Sequence, residues 1–99
     1  MIEIKLFDRV GNFAEDKDTA KQIRVKEVMP FIDNEEITFD FKEIEGATQS
    51  FMHALISDLI RKKGIDILDK IYFKNCNDTT KKIIGIVVEY MQDKEEYIA

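Results

Sequence analysis

The sequence predicts a small α/β domain, with a mostly parallel sheet of three to four strands joined by crossover helices. Three observations lead to this prediction. Strand-like and helix-like segments alternate along the chain, the composition is that of an ordinary globular protein, and 99 residues is the length of one domain. We therefore expect a single domain over residues 1–99 with parallel strands and right-handed crossovers, and a frayed tail over 93–99.

The N-terminal residues predict a strand followed by a loop. Apolar and charged residues alternate with a period of two over 2–6, which is typical of a strand with one face on the core. The next stretch, 8–18, has no sustained period, so we interpret it as a loop with a short turn at 10–13. We expect this loop to be the most mobile segment.

A helix should come next, and residues that favour helix ends mark its boundaries. Asp16 or Asp18 can cap its N-terminus, because a short carboxylate accepts hydrogen bonds from the free N–H groups of a first turn. Apolar residues recur at helical spacing from Ala20 onward. Pro30 should end the helix at Met29, since proline disfavours helical geometry in the residue before it.

The middle of the chain predicts the second strand and the most regular helix. Over 37–41 apolar and polar residues alternate, with Ile37, Phe39 and Phe41 on one face and Thr38 and Asp40 on the other. A broad apolar stripe at helical spacing then covers 51–60. Gly64 should end this helix, because glycine adopts the left-handed conformation of a C-cap without strain.

The last third of the chain predicts a third strand and a third helix. Residues 70–74 form the strand, and Asn77 or Asp78 can cap a helix that begins after it. The segment 79–92 fits both a strand and a helix, and its length favours the helix. The inward positions of the second and third strands and the helix between them predict one core cluster: Phe39, Phe41, Phe51, Leu55, Leu59, Ile71 and Phe73.

Charge and composition narrow the classes of function. Fifteen basic and 20 acidic residues give a net charge of −5, and a field of that sign repels nucleic-acid phosphates. The one cysteine cannot close an intramolecular disulfide, which favours a reducing, cytoplasmic location. The longest apolar run, 83–88, is far shorter than the ~20 residues that span a bilayer. We therefore expect neither nucleic acid nor membrane as a partner.

Three short motifs occur in order along the chain. Residues 37–44 are an apolar strand that closes on Asp-Phe, 48–51 are Thr-Gln-Ser-Phe at a helix start, and 71–77 are a strand ending in Asn-Cys-Asn. Together they resemble the bacterial STAS-like family of uncharacterised domains, which is related to the STAS domains of anti-sigma factor antagonists and sulfate transporters. The resemblance covers 37–91 and implies a STAS-like fold and a non-enzymatic, regulatory protein-interaction module of a bacterial or phage cytoplasm.

The resemblance also implies a partner and a modified residue. In anti-sigma factor antagonists the helix start is Asp-Ser-Ser-Gly, and a partner that is both kinase and sigma-factor inhibitor phosphorylates the second serine. Ser50 stands at that serine, while Thr48, Gln49 and Phe51 replace the other three residues. The implied partner is another protein of the histidine-kinase-like ATPase kind.

The candidate partner-binding or phosphorylation residues lie around this helix start: Thr48, Gln49, Ser50, His53, Glu43 and Glu45. A simpler interpretation is that Thr48 caps the helix and Ser50 occupies an ordinary first turn. His53 follows Ser50 by three residues, so the two can meet as base and hydroxyl, or both can belong, with Ser57 and Arg61, to the polar face of the helix. Cys76 should pack as a small apolar residue. We expect no catalytic residue, no metal and no cofactor.

Three functions remain open on this reasoning. The first is a regulatory interaction module, and the second is a switch controlled by phosphorylation of Ser50. The third is an acidic inhibitor that blocks a basic surface of an enzyme or a nucleic-acid-binding protein, using the net charge of −5. An acidic decoy loses affinity steeply with ionic strength, whereas an apolar docking surface does not.

Overall fold

The computed structural model describes the backbone of residues 1–98 and the side chains of residues 1–92. The predicted frayed tail, 93–99, lies outside the residues whose side chains are described. In chain order the strands are β1 (Ile2–Lys5), β2 (Phe13–Ala14), β3 (Ile37–Asp40), β4 (Gly46–Ala47) and β5 (Ile71–Lys74). The helices are α1 (Phe7–Val10), α2 (Lys17–Ile23), α3 (Gln49–Met52), α4 (Asp58–Lys63) and α5 (Asp78–Ile98).

A three-stranded parallel sheet with the order β1-β3-β5 forms the centre of the fold. Strands β2 and β4 form a second, two-stranded parallel sheet. The chain moves from β1 to β3 and from β3 to β5 in the same direction across the sheet. Two right-handed crossovers in the same direction place their helices on the same face. The other face has no helix layer from these crossovers. The predicted α/β class with a mostly parallel sheet is confirmed.

The predicted core lies between the central sheet and the helices. Phe39, Phe51 and Leu55 are completely buried, and Phe41, Leu59 and Ile71 are buried with them. Phe73 is half-buried, and its ring centroid lies 6.1 Å from that of Phe39 and 6.3 Å from that of Phe41. These residues share one contiguous hydrophobic cluster, as the alternation of the strands predicts.

Two helices pass through π-helical turns where they pack together. Helix α2 continues into the turn Arg24–Val28, and the turn His53–Ser57 joins α3 to α4 as one continuous helix over 49–63. The buried Arg24 side chain donates from Nη1 to the Ala54 carbonyl at 2.7 Å and to Asp58 Oδ2 at 2.6 Å. A wide turn interrupts the regular hydrogen-bond ladder of a helix, and here an arginine from the neighbouring helix bonds to a carbonyl within it.

The predicted helix ends are confirmed. Asp16 caps α2 and accepts a hydrogen bond from the Asp18 N–H at 2.9 Å. The π-helical turn that continues α2 ends at Val28, and Met29, the residue before Pro30, is its C-cap. Gly64 ends α4 with a positive φ of 87°, although its ψ of 164° lies outside the left-handed helical region expected for the cap.

The ambiguous segment 79–92 belongs to helix α5. Asn77 is its cap, because Asn77 Oδ1 accepts a hydrogen bond from the Thr80 N–H at 2.8 Å. In the part of the chain that the structure describes, no helix combines the length and the apolar character needed to cross a membrane.

The prediction of a loop throughout 8–18 is wrong in part. This stretch contains most of helix α1 and all of β2, with a turn at Gly11 between them. Neither element leaves a period in the sequence. Helix α1 buries no residue, so it needs no apolar stripe. Strand β2 is only two residues long, which is too short for an alternation of apolar and polar residues to be recognised.

Both faces of β3 are buried, because Thr38 and Asp40, opposite the apolar residues, are each only 6% exposed. Strand β3 is the central strand, so long side chains from both neighbours reach across it. Glu3 of β1 and Lys74 of β5 form an ion pair of 3.1 Å that spans β3 on this face. Thr38 Oγ1 lies 3.0 Å from Met1 Sδ.

Truncation of a core side chain tests the assigned helix face. Leu55→Ala should lower the free energy of unfolding by about 2–5 kcal/mol, because it leaves a cavity at a completely buried position. Val25→Ala, at a position 46% exposed, should change stability by less than about 0.5 kcal/mol. Urea unfolding curves measure both, and a loss below about 1 kcal/mol for Leu55→Ala would contradict the packing.

Candidate functional site

The three central strands finish at the same end of the sheet, which is where ligands and partners bind in open parallel sheets. Their last residues, Lys5, Asp40 and Lys74, are register partners and form one row across the sheet. The loop 41–46 follows β3, and residues 75–77 follow β5. We call this row and these two segments the carboxyl edge.

Asp40 lies at the centre of the carboxyl edge. Its Oδ1 accepts hydrogen bonds from the Asn75 side-chain amide and from the Lys42 backbone N–H, each at 2.9 Å. The hydrogen bond from Asn75 is the main reason that the pKa of Asp40 is lowered. Burial opposes this shift, while the Lys42 N–H and the charges of Lys74 and Lys5 favour it. Asp40 is therefore an anion at neutral pH and a weak proton acceptor.

The backbone on either side of Asp40 adopts an uncommon conformation. Among the described residues, only Glu43 and Asn75 have a positive φ without being glycine, at 69° and 61°. Asparagine tolerates this region because its short side chain can hydrogen-bond locally, whereas glutamate does so at a cost. Such residues persist where surrounding contacts fix the backbone, and here Asp40 is hydrogen-bonded to Asn75 itself and to Lys42, the residue before Glu43.

Asn77 joins the loop 41–46 to the start of α5. Its Nδ2 donates to the Glu45 carbonyl at 3.0 Å and lies 3.3 Å from the Ile44 carbonyl, while its Oδ1 caps the helix at Thr80. The Asn-Cys-Asn motif therefore has two structural roles. Asn75 holds the end of β3, and Asn77 holds the loop that comes after it.

Cys76, between these asparagines, is half-buried. Burial is the main cause that raises the pKa of its thiol, opposed by the charge of Lys81. A thiol with a raised pKa is protonated at neutral pH and is a weak nucleophile. These properties agree with the expected packing role.

The small sheet of β2 and β4 fixes where the helix over 49–63 begins. The Glu45 N–H donates to the Asn12 carbonyl at 2.7 Å, and the Thr48 N–H donates to the Ala14 carbonyl at 2.9 Å. Phe13 is the register partner of Gly46, and its ring lies so close that a Cβ at Gly46 would be 2.9 Å from it. Glycine therefore allows this ring to pack directly against β4, although the ring remains 48% exposed.

The structure places most of the predicted site residues on the surface beside this small sheet. Thr48 caps the helix, since its Oγ1 accepts a hydrogen bond from the Phe51 N–H at 3.1 Å. Gln49 and Ser50 are exposed in the first turn. Glu43 and Glu45 are exposed in the loop that leads into β4, where Glu45 also accepts a hydrogen bond from the Asn12 side chain.

His53 is not paired with Ser50. Its Nδ1 lies 2.8 Å from the hydroxyl of Ser57, and its ring packs edge-on against Tyr90 with centroids 5.5 Å apart. The expected polar face is wrong at Ser57, which is only 1% exposed. The wide turn over 53–57 and the packing of α5 redirect both side chains. Among the described residues, no group of three or more His, Cys, Asp or Glu could hold a metal ion.

Sequence reasoning found part of what shapes this edge. It predicted Asn77 or Asp78 as the cap of α5, and Asn77 is the cap, but it missed the bonds of Asn77 to the loop 41–46 and the role of Asn75. An asparagine directly after a strand, where a positive φ is common, is the signal that could have revealed Asn75. Phe13 lies in a polar stretch without a period, so no local pattern distinguishes it.

Two substitutions at Asn75 separate its hydrogen bond from its backbone conformation. Asn75→Gly keeps the positive φ and removes the bond to Asp40, so we expect a loss of about 1–2 kcal/mol in unfolding free energy. Asn75→Ala adds the strain of φ 61° and should lose about 1 kcal/mol more. Equal stabilities of the two variants in urea would contradict the assigned conformation.

The same variants carry a pH signature. The pKa of Asp40 is lower in the folded protein than its ordinary value of 3.8. Ionised Asp40 therefore stabilises the fold fully at pH values above 3.8, and this stability is lost as the pH falls through the lower pKa of the folded protein. The difference in stability between wild type and Asn75→Gly should therefore be largest at neutral pH and shrink in acid. A difference that stays constant to about pH 2 would show that the bond is not made to a carboxylate.

Comparison with known protein families identifies the family of this chain. Residues 19–81, more than half of the chain, match the family described as a STAS-like domain of unknown function (DUF4325). The match covers β3, the loop 41–46, Ser50 and the two asparagines at 75 and 77. No curated protein and no solved structure matches the chain. The chain belongs to the family of STAS-like domains of unknown function.

Proposed function

We propose that this STAS-like domain is a non-enzymatic regulatory module that binds another protein through a docking surface formed by Phe13, the loop 43–46 and the helix start 48–50. One observation carries the proposal. The Phe13 ring is 48% exposed yet held in place by the pairing of β2 with β4, and the polar residues of the helix start follow β4 directly. A fixed aromatic ring with a polar rim is typical of residues that anchor protein interfaces.

The chemical groups near this surface support a binding role over catalysis. The Asp40 carboxylate is ionised and already hydrogen-bonded, and the Cys76 thiol is protonated. The hydroxyl that His53 contacts belongs to Ser57, which is buried. None of these three groups is arranged as a nucleophile next to an exposed general base.

The proposed partner is a cytoplasmic histidine-kinase-like ATPase. The support is the relation of STAS-like domains to anti-sigma factor antagonists, together with the position of Ser50. That serine is exposed in the first turn of the helix over 49–63, where the free N–H groups and the helix dipole stabilise a phosphate. Its exposure favours phosphorylation of Ser50 as a second candidate, in which the same partner switches the docking surface.

Isothermal titration calorimetry with such an ATPase tests the docking surface. Phe13→Ser should weaken binding by about tenfold or more, because the variant loses the apolar anchor. Ser50→Asp should also weaken binding, since a carboxylate in the contact carries a desolvation cost. Neither variant should unfold the domain, because both positions are exposed and a negative charge suits the first turn of a helix.

Two matched variants control for exposure and charge. Phe31→Ser alters a similarly exposed phenylalanine, 42% exposed, in the turn that precedes β3 at the other end of the sheet. Thr79→Asp places the same charge in the first turn of α5. Both controls should bind like wild type. If Phe13→Ser and Ser50→Asp bind like the controls, the docking surface lies elsewhere.

Salt and phosphoryl transfer separate the remaining interpretations. Raising NaCl from ~50 mM to ~500 mM should change the affinity little, whereas an acidic inhibitor using the charge of −5 would lose it steeply. If Ser50 is a phosphorylation site, incubation with the ATPase and ATP adds one phosphoryl group to wild type and none to Ser50→Ala, as intact-protein mass spectrometry would show.

A further inference from the structure

A cleft of ≈ 500 Å³ lies at the carboxyl edge, on the face of the central sheet that carries no crossover helices. Its volume falls in the range of sites that hold small molecules. Lys5, Asp40 and Lys74 line it because they point to the side opposite the core residues Ile4, Phe39 and Phe73. Side chains from α1 and from the loop 41–46 complete its walls.

Only part of the charge that lines the cleft is held in ion pairs, although the Asp40 anion at its floor interacts with the charges of Lys5 and Lys74. Lys5 and Lys42 supply two cations, and Asp8 and Glu43 supply two anions. Among the described residues, none of these four side chains takes part in an ion pair. By contrast, Glu3 and Lys74 in the same cleft are paired at 3.1 Å. The cleft therefore presents both signs of charge to whatever enters it.

The floor of the cleft is fixed before any ligand arrives. Asp40 is only 6% exposed, and its bonds to Asn75 and to the Lys42 N–H hold the two adjoining segments. Glu43 lines the cleft from a backbone with φ 69°, so its side chain leaves the loop in a direction that ordinary loop geometry does not give. A fixed site loses less conformational entropy on binding than a flexible one.

We propose that this cleft binds a small zwitterion, a molecule whose carboxylate contacts Lys5 and Lys42 and whose ammonium group contacts Asp8 and Glu43. A single exposed ion pair contributes little in water, so an ion of one charge gains little here and is repelled by the like charges. When both charges belong to one molecule, the first contact holds the second charged group close to its partner. The second contact then forms at a high effective concentration, which multiplies the affinity. This site is separate from the docking proposal, although both include Glu43.

A series of ω-amino acids measures the charge spacing that the cleft accepts. Glycine, β-alanine, γ-aminobutyrate and 6-aminohexanoate carry the same two charges at increasing separation. Titrated into nitrogen-15-labelled protein, one member of the series should shift the backbone amides of Lys42, Glu43 and Asn75 with saturation. The matching carboxylate without an amine, and the matching amine without a carboxylate, should bind at least about tenfold more weakly.

One cationic and one anionic residue of the loop 41–46 are substituted to locate the two contacts. Lys42→Met and Glu43→Gln should each weaken binding of the preferred amino acid about fivefold or more, while Lys62→Met, an exposed residue of α4, should not. Absence of saturable shifts with every member would overturn the proposal. Equal binding of the carboxylate without an amine would overturn it too, because the cleft would then be an anion site.

The two proposals fail separately. The docking surface is tested with Phe13 and Ser50 variants, and neither residue lines the cleft. If those variants lose partner binding but no amino acid binds the cleft, the docking proposal stands and the cleft proposal fails. If those variants keep partner binding but an amino acid binds the cleft, the cleft proposal stands and the docking proposal fails.

Discussion

The hydrogen bond from Asn75 to the Asp40 carboxylate is the contact on which the carboxyl edge depends. A carboxylate that is only 6% exposed is costly unless hydrogen bonds and nearby cations stabilise its charge. Asp40 meets that requirement with partners from two different segments, the side chain of Asn75 after β5 and the backbone of Lys42 after β3. Satisfying one buried charge therefore fixes the two loops relative to each other.

The consequences extend outward from this bond in two directions. Toward the sheet, Asp40 forms the floor of the cleft between the lysines of its register row. Toward the helices, Asn77 binds the carbonyl of Glu45, and the N–H of Glu45 binds Asn12 next to Phe13. The proposed docking surface is therefore built on a short series of backbone contacts that begins two residues from Asn75. The one-sided helix layer leaves the cleft accessible.

The sequence determines the fold class and the core through signals that are local. Alternation over 37–41 and the apolar stripe over 51–60 each identify the side of one element that packs into the hydrophobic cluster, and Phe39, Phe41, Leu55 and Leu59 are buried there. The burial of Asp40 could not be predicted in this way. It depends on β3 being central and on a pair, Glu3 and Lys74, that are 71 residues apart in the sequence.

The candidate site was predictable to a similar extent. The resemblance and the strand–helix order direct attention to Ser50 and to the loop before it, and the structure exposes those residues. The Phe13 ring and the pairing of His53 with Ser57 have no counterpart in sequence periodicity. Both depend on packing between elements that are distant in the chain or too short to leave a pattern.

Hydrogen exchange in Asn77→Asp tests most directly whether these side-chain bonds order the edge. Aspartate still caps a helix, so α5 should keep its protection at Thr80, but it cannot donate to the carbonyls of the loop. We expect faster exchange at the amides of Glu45 and Thr48, because these amides donate to the carbonyls of Asn12 and Ala14. Unchanged protection at both amides, with the variant folded, would contradict it.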